Sequence, residues 1–398
     1  MIPVPVTELP LSGTTVVDVS HLAAGPWCTM VLADLGADVI KIERPGIGDM
    51  SRTAGGVYAG QDSAVFLALN RNKRSVAVDL KDPEGREIVR RLVEGADVFV
   101  ENLRAGKTAE LAIDYDTLSA RNPGLVYASI SAFGADPSGP YAGLPGNDPI
   151  IQALSGAMSI TGEQDGPPAR QGVSVPDFGA GMMAAFSIVS ALLGRQATGR
   201  GRKLELNLLD VEIFALGPRA QEHLITGEDQ PRLGSAHPQF APYQAFRARD
   251  GRYLYIAAIN EKFWRLLCDA LEDPGLAADP DYATNVDRCR HREALVSLLE
   301  TRLAARDRDE WLAMLERHGV PCGPVNTLTE AMADPQVRHN ELLVELPRPG
   351  AATLPTVALP LHLDGERVAV RRTPPRVGEH TDEVLAEFGL HGTQRVAP

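Results

Sequence analysis

Cysteine, positive charge and long apolar runs are all scarce in this chain, and each scarcity narrows what it can be. The four cysteines among 398 residues, Cys28, Cys268, Cys289 and Cys322, make no CxxC pair and keep no regular spacing. Neither a disulfide framework nor a cysteine zinc site is expected, and the thiols read as reduced. Lys and Arg total 39 against 52 Asp and Glu, a net charge of −13. Nucleic acid and anionic membrane surfaces are thereby set aside as general partners, and a polyanionic ligand needs a local basic patch. No apolar run approaches the roughly 18 residues of a membrane span. Met1–Glu8 has neither the basic nor the long apolar region of a signal peptide. A cytoplasmic location is the expectation. Histidines such as His21, His237, His291, His318, His339 and His380 never fall at HxxxH spacing, so no metal site is expected.

Nucleotide fingerprints fail on inspection. Gly46-Ile47-Gly48-Asp49-Met50-Ser51 begins like GxGxxG but lacks the third glycine and opens no strong helix. Gly194 and Gly199 have Walker-like spacing, yet no Lys-Ser/Thr pair follows them. Asp177-Phe178-Gly179 matches three letters of a kinase signature without its catalytic loop or strand lysine.

What is present is ordinary material for an enzyme: 44% apolar and 23% charged residues, with length for two domains or one large domain carrying a smaller one. The first half alternates strand and helix. Strands are expected at 14–19, 38–43, 75–80, 96–100 and 125–130, with Pro26 and Gly36 bounding one helix and Asp82-Pro83 and Gly95 another. A helix from about Gly179 to Leu193 leads into a basic turn, 194–203, then a strand and helix from Leu204 to Leu216. This rhythm predicts an α/β fold: a large Rossmann-like domain with a mostly parallel sheet, whose ligands sit beyond the strands' carboxyl ends. Character changes near Gly227–Pro231. The reading is a large domain over 1–225, a smaller α+β domain over 226–330 opening with a hairpin at 240–258, and a Pro-rich segment, 331–398, returning to the large domain and closing with a helix after Thr381.

One carboxylate stands apart. Asp177 lies in Val173-Ser174-Val175-Pro176-Asp177-Phe178-Gly179-Ala180-Gly181, between an apolar approach and a glycine-opened helix. Such a setting strips water from the carboxylate while small neighbours leave room for a substrate, as a nucleophile or base requires. An N-cap role explains the same residue.

Several segments together resemble the class III coenzyme A transferases, the family of formyl-CoA transferase, carnitine CoA-transferase and α-methylacyl-CoA racemase. They are Val17-Asp18-Val19-Ser20-His21 with Ala24-Gly25-Pro26, Leu35 to Pro45, Asn70 to Ser75, Asp79-Leu80-Lys81, Glu101-Asn102-Leu103-Arg104, Gly199-Arg200-Gly201 and Gly378-Glu379-His380-Thr381. The resemblance spans nearly the whole chain. It implies that Asp177, spaced as expected from Gln152, attacks an acyl-CoA thioester and carries CoA as an aspartyl thioester to a carboxylic acid acceptor, with succinyl-CoA a frequent donor. It places CoA against His21, Ala23, Ala24, Arg44, Val78, Asp79, Leu80, Lys81, Asn102, Leu103, Arg104, Asn147 and Asp148. It implies no prosthetic group, with CoA as substrate, and a homodimer of interlocked subunits. Arg44 reads either as a phosphate ligand or as half of a surface ion pair. Lys73 and Arg74 read as further phosphate contacts or as a solvated strand start, while Arg200, Arg202 and Lys203 read as a solvated turn.

Three departures from the family bear on chemistry. The racemase branch has a His-Asp pair where this chain has Asn147-Asp148, and an amide cannot shuttle an α-proton at neutral pH. Transfer is therefore expected, with an acyl-CoA racemase or isomerase using Asp177 as base as the alternative. Only Gly234 remains of a glycine run in the stretch 233–238, which speaks against a small oxalate and formate pair. Glu110 stands where the family often has arginine, so one phosphate contact is lost or replaced. For a dicarboxylate substrate, His237 or Arg232 is the candidate to hold the distal carboxylate. A catalytically silent CoA-binding protein and a Rossmann dehydrogenase complete the field.

Overall fold

The computed structural model describes residues 9–347 and 352–390; Met1–Glu8 and part of the Pro-rich tail lie outside them. The chain divides into two compact units, Met1–Ala157 with Gln171–Gly227 and Pro335–Pro398, and Met158–Arg170 with Glu228–Asp334.

In the first unit six short strands pair into one parallel sheet, the first five largely buried and the sixth, a polar edge strand, largely open to solvent. They are β1 (Thr15–Asp18), β2 (Asp38–Glu43), β3 (Lys73–Ala77), β4 (Val98–Glu101), β5 (Val126–Ser131) and β6 (Arg202–Asn207). Their spatial order is β3-β2-β1-β4-β5-β6, with Val17 of β1 opposite Ile40 on one side and Phe99 on the other. The chain thus runs from β1 outward to one edge, then returns to build the other. That reversal opens a crevice at the carboxyl ends of β1 and β4. Strand β3 starts and stops earlier than expected. Asp79 turns the chain by accepting a hydrogen bond from the Lys81 amide, 2.9 Å, which ends the ladder at Ala77.

Helices cover both faces. Helix α1 (Ala24–Asp34) packs beneath one face, while α2 (Pro83–Glu94), capped by Asp82, covers the other with α3 (Tyr115–Arg121). Helix α4 (Asp148–Leu154) precedes α5 (Val175–Thr198), longer at both ends than its apolar pattern suggested. Ser174 and Pro176 start it early, and it ends only at Gly199, whose φ of 68° suits glycine. By length and composition α5 could cross a membrane, which a search for unbroken apolar runs misses. Its Ala180, Ala184 and Ile188 are instead packed into the core with Leu32 and Val100. Helix α6 (Leu208–Ala215) follows β6.

The second unit holds the expected hairpin, β7 (Tyr243–Arg247) and β8 (Tyr253–Ala257), joined by β9 (Cys322–Pro324). Helices α7 (Glu261–Ala270), α8 (Arg292–Leu303) and α9 (Arg308–Arg317) close its core around Trp264, Leu299 and Leu315. The segment 158–170 belongs here because Arg232 holds it: its guanidinium donates to the carbonyls of Ser159, Glu163 and Gly166 at 3.4, 3.2 and 2.7 Å. Back in the first unit, the terminal helix α10 (Thr381–Glu387) lies against β3.

Candidate active site

Asp177 is not the helix cap. Ser174 takes that place, and Asp177 is the third residue of α5. The helix dipole there favours a negative charge. Burial nevertheless dominates and, helped by the negative charge of Asp148, raises the Asp177 carboxyl from 3.8 to about 6. Among the described residues, no hydrogen bond or ion pair to its side chain offsets this. The result is a carboxylate ionised at neutral pH yet poorly solvated.

Asp148, in the first turn of α4, is buried and accepts from the Gln152 amide at 2.8 Å; the Gln152 carbonyl in turn accepts from the Gln171 backbone N–H at 2.9 Å. Asn147 caps α4 by accepting from the Ile150 N–H. Glu212 of α6 is a site residue that the sequence did not single out. It is buried, its pKa raised first by that burial and further by Asp148, while the Gln171 side chain opposes the shift with a hydrogen bond. Its helix carries two carboxylates, exposed Asp210 and buried Glu212, and no sequence signal separates them.

Gly179 and Gly181 do not leave open space as expected. A Cβ on Gly179 would come to 3.0 Å from Val211, and one on Gly181 to 2.6 Å from the Ala24 carbonyl. These glycines let α5 press against α6 and α1 in the turn that follows Asp177. Trp27 of α1 packs its ring 4.6 Å from that of Phe178.

The other expected ligand positions all follow strand carboxyl ends: His21, Ala23 and Ala24 after β1, Arg44 after β2, Val78 to Lys81 after β3, and Asn102 to Arg104 after β4. His21 and Asn102 are joined directly, because the Asn102 side chain accepts from the His21 N–H at 2.9 Å and donates to its carbonyl at 2.8 Å. Arg44, Lys81 and Arg104 are exposed, so their charges are open to solvent. Val78 is buried, leaving its backbone as the part a ligand could meet. Arg104 also lines a polar cleft of about 190 Å³ with Tyr127, Ser129 and Lys203.

Lys73 and Arg74 are neither phosphate ligands nor solvated. Lys73 is fully buried, with Nζ at 3.2 Å from Asp18 and 2.9 Å from the Pro26 carbonyl, and burial lowers its pKa to about 8. Arg74 ties Asp38 of β2 to Glu383 and Glu387 of α10, at 2.5, 2.9 and 2.9 Å. Glu110 pairs with Lys107 at 2.6 Å, neutralising the nearest lysine. In the second unit Arg232 gives three of its five N–H donors to the carbonyls of Ser159, Glu163 and Gly166, which leaves two for a carboxylate. His237 stacks on Tyr243 at 4.9 Å and accepts from the Gln239 N–H.

The sequence profile described as "CoA-transferase family III" matches residues 11–381. The chain belongs to that family. It is a class III CoA-transferase, an enzyme that moves coenzyme A from an acyl-CoA to a carboxylic acid. The "Succinate--glutarate CoA-transferase" of Agrobacterium fabrum is 39% identical, over 98% of both chains. The "Succinyl-CoA:mesaconate CoA-transferase" of Haloarcula hispanica is 37% identical, over 97% of this chain and 98% of its own. Among solved structures, a CAIB/BAIF family protein from Brucella suis superposes with a TM-score of 0.85 at 38% identity, over 96% of this chain and 99% of its own. The α/β architecture with its large parallel sheet is the architecture of that family.

Proposed function

We propose that this CoA-transferase works through a covalent intermediate on Asp177. The observation that carries the reading is the carboxylate itself: partly buried, without a hydrogen-bond donor among the described residues, and ionised above about pH 6. Desolvation keeps an oxyanion nucleophilic. Asp177 attacks the thioester carbonyl, the C–S bond breaks, and CoA leaves as thiolate, giving a mixed acyl-aspartyl anhydride. The thiolate returns to the aspartyl carbonyl and expels the donor acid, leaving an aspartyl-CoA thioester. The acceptor carboxylate attacks that thioester, releases CoA thiolate and forms a second anhydride. Attack of the thiolate on its acyl carbon yields the new acyl-CoA and frees Asp177. No step needs a prosthetic group. CoA lies, in this reading, along the strand ends that carry His21, Ala23, Ala24, Arg44, Val78 to Lys81 and Asn102 to Arg104, and against Asn147 and Asp148 at the start of α4.

The substrate proposal is a succinyl-CoA donor and a dicarboxylic acceptor, supported by the names of the two relatives above. A homodimer of interlocked subunits is proposed from the outer face of α5, where Met182, Phe186, Val189 and Leu193 form an exposed apolar stripe. An apolar groove of about 800 Å³ next to it, lined by Trp27, Met30, Leu67, Met182 and Leu354, supports the same reading. The four unpaired cysteines fit a reducing, cytoplasmic compartment.

Incubation with succinyl-CoA and glutarate, followed by mass spectrometry of the peptide containing Asp177, tests the mechanism. A CoA adduct on that residue is expected. Asp177→Ala should lose the adduct and about 10³-fold or more in kcat, while CoA affinity stays. Full transfer activity in that variant ends the proposal. The isomerase alternative predicts deuterium entering the α-carbon from solvent with no acceptor present.

A further inference from the structure

Three consecutive residues after β1 are gripped from both sides. The Ser20 carbonyl accepts from Lys41 Nζ at 2.9 Å. Both backbone groups of His21 are bonded by the Asn102 side chain, at 2.9 and 2.8 Å. The Leu22 N–H donates to Asp49 Oδ1 at 3.2 Å, and Asp49 is itself paired with Lys41 at 2.8 Å. Lys41 and Asp49 come from β2 and the turn beyond it, Asn102 from the end of β4, so the loop is held across the crevice at the sheet's switch point. Ser20 presses on α1 as well: a Cβ on Gly25 would lie 2.2 Å from the Ser20 Cβ.

Within this grip Leu22 has a φ of 66°, a left-handed conformation that a leucine rarely adopts. Its side chain is 43% exposed, so packing of the leucine does not explain the conformation. The backbone bonds on either side do. A strained residue held by surrounding structure is a mark of a functional constraint. The cost of burying a lysine–aspartate pair, both nearly free of solvent, is offset in part by the bonds each makes to this loop, beside those that Asp49 accepts from Ser51.

We infer that Lys41, Asp49 and Asn102 are positioning residues, which hold Ser20, His21 and Leu22 in the one backbone shape that receives coenzyme A. The inference rests on the reading that CoA binds along this edge. It assigns Asn102 a task different from touching the ligand: it shapes the His21 backbone, and the affinity for CoA comes through the loop.

Replacing Lys41 would strand Asp49 in the interior and endanger folding, so the test uses Asn102→Ala, Leu22→Gly and the double variant. Titration calorimetry with free CoA gives the affinity, steady-state kinetics give kcat and KM, and the melting temperature reports folding. Loss of two backbone bonds should weaken CoA binding by about tenfold or more, raising KM for the acyl-CoA more than it lowers kcat. Leu22→Gly alone gives the affinity lost with the leucine side chain itself, the baseline against which the double variant is read. Because glycine enters the left-handed region freely, the double variant should recover a substantial part of the affinity lost by Asn102→Ala. Asn102→Ala with unchanged affinity overturns the inference. So does a loss that Leu22→Gly fails to restore, which would make Asn102 a direct contact. Failure of the parent protein to bind CoA would sink the CoA reading of this edge instead, a result distinguishable from both.

Discussion

At the scale of single residues, the chemistry turns on what surrounds two carboxylates. Burial and then the Asp148 charge hold the Asp177 carboxyl near 6, above its ordinary value of 3.8. In the proposed mechanism only the ionised form attacks, so kcat/KM should fall as pH drops through about 6. Asp148→Asn removes the smaller of the two causes and should move that acidic limb to lower pH without abolishing it, since burial remains. A pH–rate profile of the variant checks this; a limb that stays in place, or moves up, contradicts the assignment. Asp177 was legible in the sequence through its motif, whereas its environment was not. Nothing in Asp210-Val211-Glu212 announces that Glu212 is buried near Asp148. Lys73 and Arg74 show the converse, because side chains that look solvated in sequence are fully engaged in ion pairs once strands are stacked. Polar residues inside a strand buried on both faces were the clue to such networks.

At the scale of elements, the approach of α1 to α5 sets the site. Gly181 lies one helical turn after Asp177, and its missing side chain lets α5 meet the Ala24 carbonyl. Gly181→Val should push the helices apart, costing about 2 kcal/mol or more in stability, with a fall in kcat larger than any change in CoA affinity. Thermal melting and kinetics would show it, and a fully active variant with parental stability would refute it. The helices' existence was readable from Pro26, Asp82 and Gly95, because caps and breakers act locally. Boundaries were less so. Helix α5 extends past its apolar core on both sides, since Pro176 favours the first turn and only Gly199 stops the last. Strand β3 begins at Lys73 and not at Ser75 because pairing with β2, and not local propensity, decides where it starts.

At the scale of the whole molecule, the apolar stripe on α5 asks for a cover. Phe186, 70% exposed, lies near its middle. Phe186→Glu should yield a monomer in light scattering after size exclusion and lose transfer activity, if a second copy provides that cover; a dimeric, active variant would argue against it. The sequence by itself determined the α/β class and the family, and it singled out Asp177 as the carboxylate for which a nucleophilic role is proposed. Those depend on alternating apolar patterns and on short motifs, both properties of neighbouring residues. Only the tertiary structure decided which charges are buried, which glycines serve close helix contacts, and that one loop is clamped from β2 and β4 at once. Such facts arise from residues far apart in the chain, and pairing, burial and desolvation do not exist until the sheet has formed.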